Sequence, residues 1–140
     1  MGLNKYSNPG VRNGESFKDT EVYWSARRLA LEIQDASKKF PEAEEGLLAE
    51  RIRRSSRSVG ENIVIAWALR PDREGFIKCL READIKQQET RHWIAVAHDC
   101  GYIPNELAWT ILGRCFNLGK GINAMLREPE IYCPVHQENG

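Results

Sequence analysis

The chain has no excess of charge of either sign: 20 lysines and arginines stand against 20 aspartates and glutamates in 140 residues. That excludes nucleic-acid binding driven by net charge alone and leaves only a local basic patch to consider. No apolar run approaches the roughly 20 residues that span a bilayer, so no membrane partner is expected. The first 14 residues are polar and glycine-rich, without the apolar stretch of a signal peptide, and a cytoplasmic location is the expectation. None of the four cysteines, Cys79, Cys100, Cys115 and Cys133, stands in a Cys-x-x-Cys pair. Free thiols are therefore expected, some of them in the core. Glycine-rich phosphate loops and the Gly-x-Ser-x-Gly turn are missing, which removes the common nucleotide-binding and hydrolase signatures. Strand-like alternation and internal repeats are missing as well.

What the sequence does hold is helical periodicity. Val22, Ala26, Leu29, Ile33, Ala36 and Phe40 recur at helical spacing and predict a helix over 17–40. Ser16 or Asp19 would cap it and Pro41 would stop it. Leu48, Ile52, Ser55, Ser56, Val59, Ile63 and Ala66 predict a second helix over 44–69, running through Gly60. Phe76, Leu80, Ala83, Gln87, Thr90, Ile94 and Ala97 form one face of a third over 72–100, widened by Ile77, Ile85 and Trp93 and stopped by Gly101. Leu107, Ala108, Ile111, Leu112, Cys115, Leu118, Ile122, Met125 and Leu126 mark a fourth over 104–127. The length fits one domain. Short connections force antiparallel neighbours, so the expected architecture is all-α, an up-down-up-down antiparallel four-helix bundle. The division is a flexible leader at 1–15, the bundle at 16–128 and a C-terminal tail at 129–140.

Among candidate chemistries the basic cluster Arg51, Arg53, Arg54 and Arg57 is the strongest local feature. Arginines gathered on one exposed face can grip phosphates bidentately. Against that stand Glu50, four residues before Arg54, and Glu61, four after Arg57, which suit ordinary ion pairs along a solvated helix. Glu89-x-x-His92 is half of a di-iron bundle motif that needs two such pairs, and only one is present. Cys133-x-x-His136 with His98 and Cys100 would have to assemble from opposite sides of the fourth helix. No metal and no other cofactor is expected. Ser55, Ser56 and Ser58 have no histidine nearby in sequence and read as small residues that let helices approach. Trp24, Trp67, Trp93 and Trp109 fall one to a helix, which suits core or subunit-interface packing better than base stacking.

Three segments carry a family likeness. They are Val22-Tyr23, Ala26 and Leu29 followed by Phe40-Pro41; Gly46-Leu47, Arg51 to Val59 and Asn62-Ile63; and Phe76, Leu80, Ala83 and Glu89 followed by Gly101-Tyr102-Ile103. Together they resemble the proteins named for the intervening sequences of 23S rRNA, over roughly residues 17–127. Two places depart from the family pattern. Ile65 and Ala66 stand where it has a glutamate and a glycine, and Ile85-Lys86 stands where it has Gly-Ser. The resemblance implies a four-helix bundle that assembles into a ring, commonly a homopentamer. It also implies a link to RNA or to retroelement machinery, because related proteins accompany the reverse transcriptases of diversity-generating retroelements. It implies no enzymatic activity. The resulting expectation is a non-enzymatic oligomer that binds RNA, DNA or a nucleic-acid-processing partner such as a reverse transcriptase, with Arg51, Arg53, Arg54 and Arg57 as the contact surface. The alternative is a structural or protein-interaction module without nucleic-acid affinity.

Overall fold

A computed structural model describes residues 16–134, and within them four helices account for nearly all of the regular structure. They are α1 (Glu21–Ser37), α2 (Leu48–Ala68), α3 (Arg73–Asp99) and α4 (Asn105–Arg127). No strand occurs among the described residues. Around the bundle the packed neighbours are α1–α2, α2–α3, α3–α4 and α4–α1, the antiparallel arrangement that the connections require. The leader expected at 1–15 lies outside the described residues.

The apolar stripes read from the sequence are the core. Leu29, Ile33, Ile52, Val59, Ile63, Phe76, Leu80, Ile94, Ile111 and Ile122 are fully buried, and the polar positions Ser55, Ser56, Gln87 and Thr90 are buried beside them. Ser55 Oγ and Thr90 Oγ1 lie 2.9 Å apart, which pairs two buried hydroxyls across α2 and α3. Ser55 and Ser56 are thus enclosed between helices, whereas Ser58 is only half-buried. Two expected positions differ. Ile85 is 53% exposed and does not widen the α3 face, and Leu107 stands at the surface of α4.

The helix ends explain the remaining differences. α1 begins at Glu21, later than expected, because Thr20 is its cap: Tyr23 N–H donates to Thr20 Oγ1 at 3.4 Å. Ser16 instead caps a short 3-10 turn, Phe17–Asp19, ahead of it. α1 then stops at Ser37, three residues before Phe40, and Phe40 remains buried after leaving the helix. α2 begins at Leu48, after a 3-10 turn over Glu42–Glu44. At the end of α3, Gly101 takes φ +81, a left-handed conformation suited to glycine. Tyr102 N–H donates to Ala97 O and Gly101 N–H to His98 O, each at 2.9 Å, which closes the helix with paired carbonyls.

Residues after α4 are packed. A 3-10 turn over Pro129–Ile131 leads to Tyr132, whose ring stacks on Phe76 at 6.1 Å and meets Trp67 edge-on at 6.0 Å. Pro129 and Cys133 are buried. The segment 129–133 is therefore docked against α2 and α3, where the sequence reading had a polar tail. Its tyrosine and proline are too few to register as a periodic stripe. His136 lies outside the described residues.

Candidate nucleic-acid interface

The four arginines of α2 leave the helix in different directions and serve different partners. Arg53 is the most enclosed, with a side chain only 16% exposed. Its Nε donates to the buried Ser37 Oγ at 2.7 Å and its Nη1 to Glu45 Oε1 at 2.5 Å. It therefore ties the end of α1 and the α1–α2 connection to the middle of α2. Arg54, 75% exposed, pairs with Glu50 at 2.7 Å, the pair expected from its spacing. Arg57 donates to Gln34 of α1 at 2.6 Å rather than bonding along its own helix to Glu61. Arg51 turns the other way, its guanidinium 5.6 Å from the Trp93 ring centre on α3.

Two shallow grooves flank this helix. One, of about 480 Å³, is lined by Arg53, Arg54 and Arg57, but also by Glu45, Glu50 and Glu61, so its cations and carboxylates balance. The other, of about 310 Å³, joins Arg51 and Arg54 to Lys86, with Glu50 and Glu89 opposing them. Lys86, one of the two α3 departures, thus extends the basic edge of α2, and it pairs with Glu89 at 3.2 Å. The cluster expected from the sequence is thus divided: Arg54 and Arg57 are exposed on the α1 side of α2, Arg51 is exposed on the α3 side, and Arg53 is committed to holding the fold.

Other sequence candidates resolve into packing. Glu89 pairs with Lys86, and His92 meets the Trp93 ring edge-on at 4.6 Å. No group of three or more metal-ligating side chains occurs among the described residues. His98 bonds to Asn105 and lies 3.6 Å from Asp99, clipping the turn between α3 and α4. Trp67 is buried, Trp24 and Trp93 are half-buried, and Trp109 is 71% exposed.

A third groove, of about 790 Å³, escaped the sequence reading. It runs between α3 and α4 and is lined by Asp84, Gln88, Arg91, Phe116, Lys120 and Arg127, among others. Its floor is built from the buried Gln87, whose Nε2 donates to Asp84 Oδ1 at 2.9 Å. A Cβ on Gly119 would lie 2.7 Å from that nitrogen, so any larger residue at 119 would have to displace the Gln87 amide from its present place. The basic residues of this groove are spread over two helices, and no local run in the sequence announces them.

The family model described as 23S rRNA-intervening sequence protein matches residues 18–124. A crystal structure at 1.70 Å of a protein of unknown function from the S23 ribosomal protein family of Bacteroides thetaiotaomicron superposes with a TM-score of 0.70 at 23% identity. The match covers 76% of this chain and 95% of that one. No curated protein matches the chain significantly. Among the described residues no helix is long and apolar enough to cross a membrane.

Proposed function

The chain belongs to the 23S rRNA-intervening sequence protein family, and on that premise we propose that it is a non-enzymatic four-helix bundle that self-associates and binds nucleic acid or a nucleic-acid-processing partner such as a reverse transcriptase. The observation that carries self-association is Trp109. Its indole stands 71% exposed on the outer face of α4, and Leu31 on α1 is 61% exposed. A folded domain that leaves such side chains in water exposes surface of the composition found at subunit interfaces. A homopentamer is the expected assembly, the number coming from the family resemblance. The nucleic-acid part rests on Arg51, Arg54 and Arg57, the exposed guanidiniums of α2. Repeated around a ring, three weak phosphate contacts per subunit gain from effective concentration.

The balanced charge of the α2 groove favours a second reading, a protein-interaction module without nucleic-acid affinity. Sedimentation equilibrium at micromolar concentration tests the assembly, and a monomer there overturns it. A titration with RNA and with DNA at two salt concentrations tests the binding. Affinity that falls with salt, and falls further in Arg54→Ala/Arg57→Ala, is the expected result. Absence of binding at low salt leaves the interaction module as the function.

A further inference from the structure

The groove between α3 and α4 differs in charge from the groove beside α2. Arg91, Lys120 and Arg127 line it against a single carboxylate, Asp84. That carboxylate is already engaged. Its Oδ1 accepts from Gln87 Nε2 at 2.9 Å and from Asn123 Nδ2 at 3.2 Å, and its Oδ2 from Gln88 Nε2 at 3.1 Å. Arg91, Lys120 and Arg127 form no ion pair among the described residues. Lys120 instead rests its Nζ 5.4 Å from the centre of the Phe116 ring. Three cations without carboxylate partners around one concavity create a local positive field in a chain of zero net charge, and the complementary occupant is anionic.

The rest of the lining narrows the class. Phe116 is 55% exposed and offers an aromatic face at the groove. Gly119, Gly121 and Ala124 also line the groove and add no long side chain to it. Gln88 and Asn123 line it too; their NH2 groups donate to Asp84, and that of Asn123 also to Gly119 O at 2.8 Å, so what they can offer a base edge is their amide oxygens, as acceptors. Cations that follow a backbone, an aromatic face for stacking and amides at the edge are the combination by which proteins hold unpaired nucleotides. An acidic peptide would use the cations alone. A duplex would keep its bases stacked and out of reach of Phe116.

We propose that the α3–α4 groove binds a segment of single-stranded nucleic acid, with phosphates on Arg91, Lys120 and Arg127 and one base stacked on Phe116. In that state Lys120 leaves the ring for a phosphate. The site is separate from the α2 arginines, so each stands or falls by its own variants.

The experiment is a fluorescence-anisotropy titration of the full chain with a labelled single strand of roughly a dozen nucleotides, as RNA and as DNA, at about 50 and 200 mM salt. A duplex of the same sequence and a glutamate-rich peptide serve as competitors. Arg91→Ala/Arg127→Ala is expected to flatten the slope of log affinity against log salt by about 1.4, two contacts at about 0.7 each. Phe116→Ala is expected to weaken binding roughly 5- to 150-fold while leaving the slope in place. All of these side chains stand at the groove surface, and circular dichroism checks that each variant keeps its helices. Arg91→Lys/Arg127→Lys should restore the slope. The proposal is overturned by any of three results. The single strands do not bind at the lower salt; Arg91→Ala/Arg127→Ala keeps the wild-type slope; or the duplex or the peptide displaces the strand at equal concentration while Phe116→Ala binds normally. Failure of the α2 reading shows separately, as an unchanged slope in Arg54→Ala/Arg57→Ala.

Discussion

At the scale of single residues, burial decides which of several chemically similar side chains are available. Arg53 and Arg54 are neighbours in sequence, yet one ties two helices together and the other lies in water. Arg53→Ala removes donors to the buried Ser37 and to Glu45. It is expected to cost about 1.5–3 kcal/mol in chemical denaturation, the range for hydrogen bonds that involve a charged group. Arg54→Ala loses an exposed pair and should cost no more than about 1 kcal/mol. Equal effects would mean that the Arg53 bridge contributes nothing special. The cysteines divide in the same way. Burial pushes the Cys115 thiol up to about 12, whereas Cys100 is exposed. In the native protein a thiol reagent at mildly alkaline pH should label Cys100 quickly and Cys115 only as the chain opens. Because the folded state holds the Cys115 proton more tightly than the unfolded state, this group's stabilising contribution is intact below pH 9. It is lost progressively between pH 9 and about 12. Burial raises the Cys133 thiol as well, with Arg73 and Arg70 opposing, and its contribution declines in the same alkaline direction. A pH series of melting temperatures, compared with Cys115→Ala, reads the effect. Identical alkaline decline in both proteins would rule out Cys115 as its source.

At the scale of elements, the helices were readable because their stripes are long and regular, and their ends were not. Every position assigned to the α1 stripe is buried, including Phe40, which has left the helix. Periodicity reports which side chains face the core. It does not report where the backbone stops being helical, and so the stripe alone carries α1 to residue 40. Capping chemistry has the same ambiguity, since Ser16, Asp19 and Thr20 are all suitable types and only the chain path selects Thr20. The α2 arginines were visible as a local run, but not that Arg53 would be enclosed by Ser37 from another helix. The docked segment after α4 and the α3–α4 groove depend on residues far apart in sequence, Tyr132 with Phe76 and Trp67, Arg91 with Lys120 and Arg127. The docked segment yields a prediction at this scale. Tyr132→Ala removes one ring from contact with two others and should destabilise the bundle by roughly 2–4 kcal/mol, somewhat below the loss at a fully buried aromatic. An unchanged unfolding midpoint would show that 129–133 rests on the bundle without supporting it.

At the scale of the whole molecule, the proposed self-association turns on the apolar side chains that folding leaves in water. The core is complete without Trp109, Leu31 and Leu47, all of which remain mostly exposed while smaller side chains such as Ala26, Ala83 and Ala97 are fully enclosed. Single exposed apolar side chains are ordinary on a monomer; in the proposed assembly the Trp109 indole would be enclosed between subunits, where an aromatic side chain contributes more than its neighbours to an interface. Trp109→Glu places a charge at the same point, where the monomer can solvate it and a subunit interface cannot. The folded monomer should consequently be little affected, with helical content and unfolding midpoint close to wild type. The oligomer should dissociate, and sedimentation equilibrium across the micromolar range reads that directly. Trp109→Phe keeps an aromatic ring at the position and should retain the assembly. If Trp109→Glu sediments as wild type does, self-association proceeds through another face of the bundle. If wild type itself is a monomer, self-association is overturned, and the avidity argument for weak phosphate contacts on α2 falls with the ring.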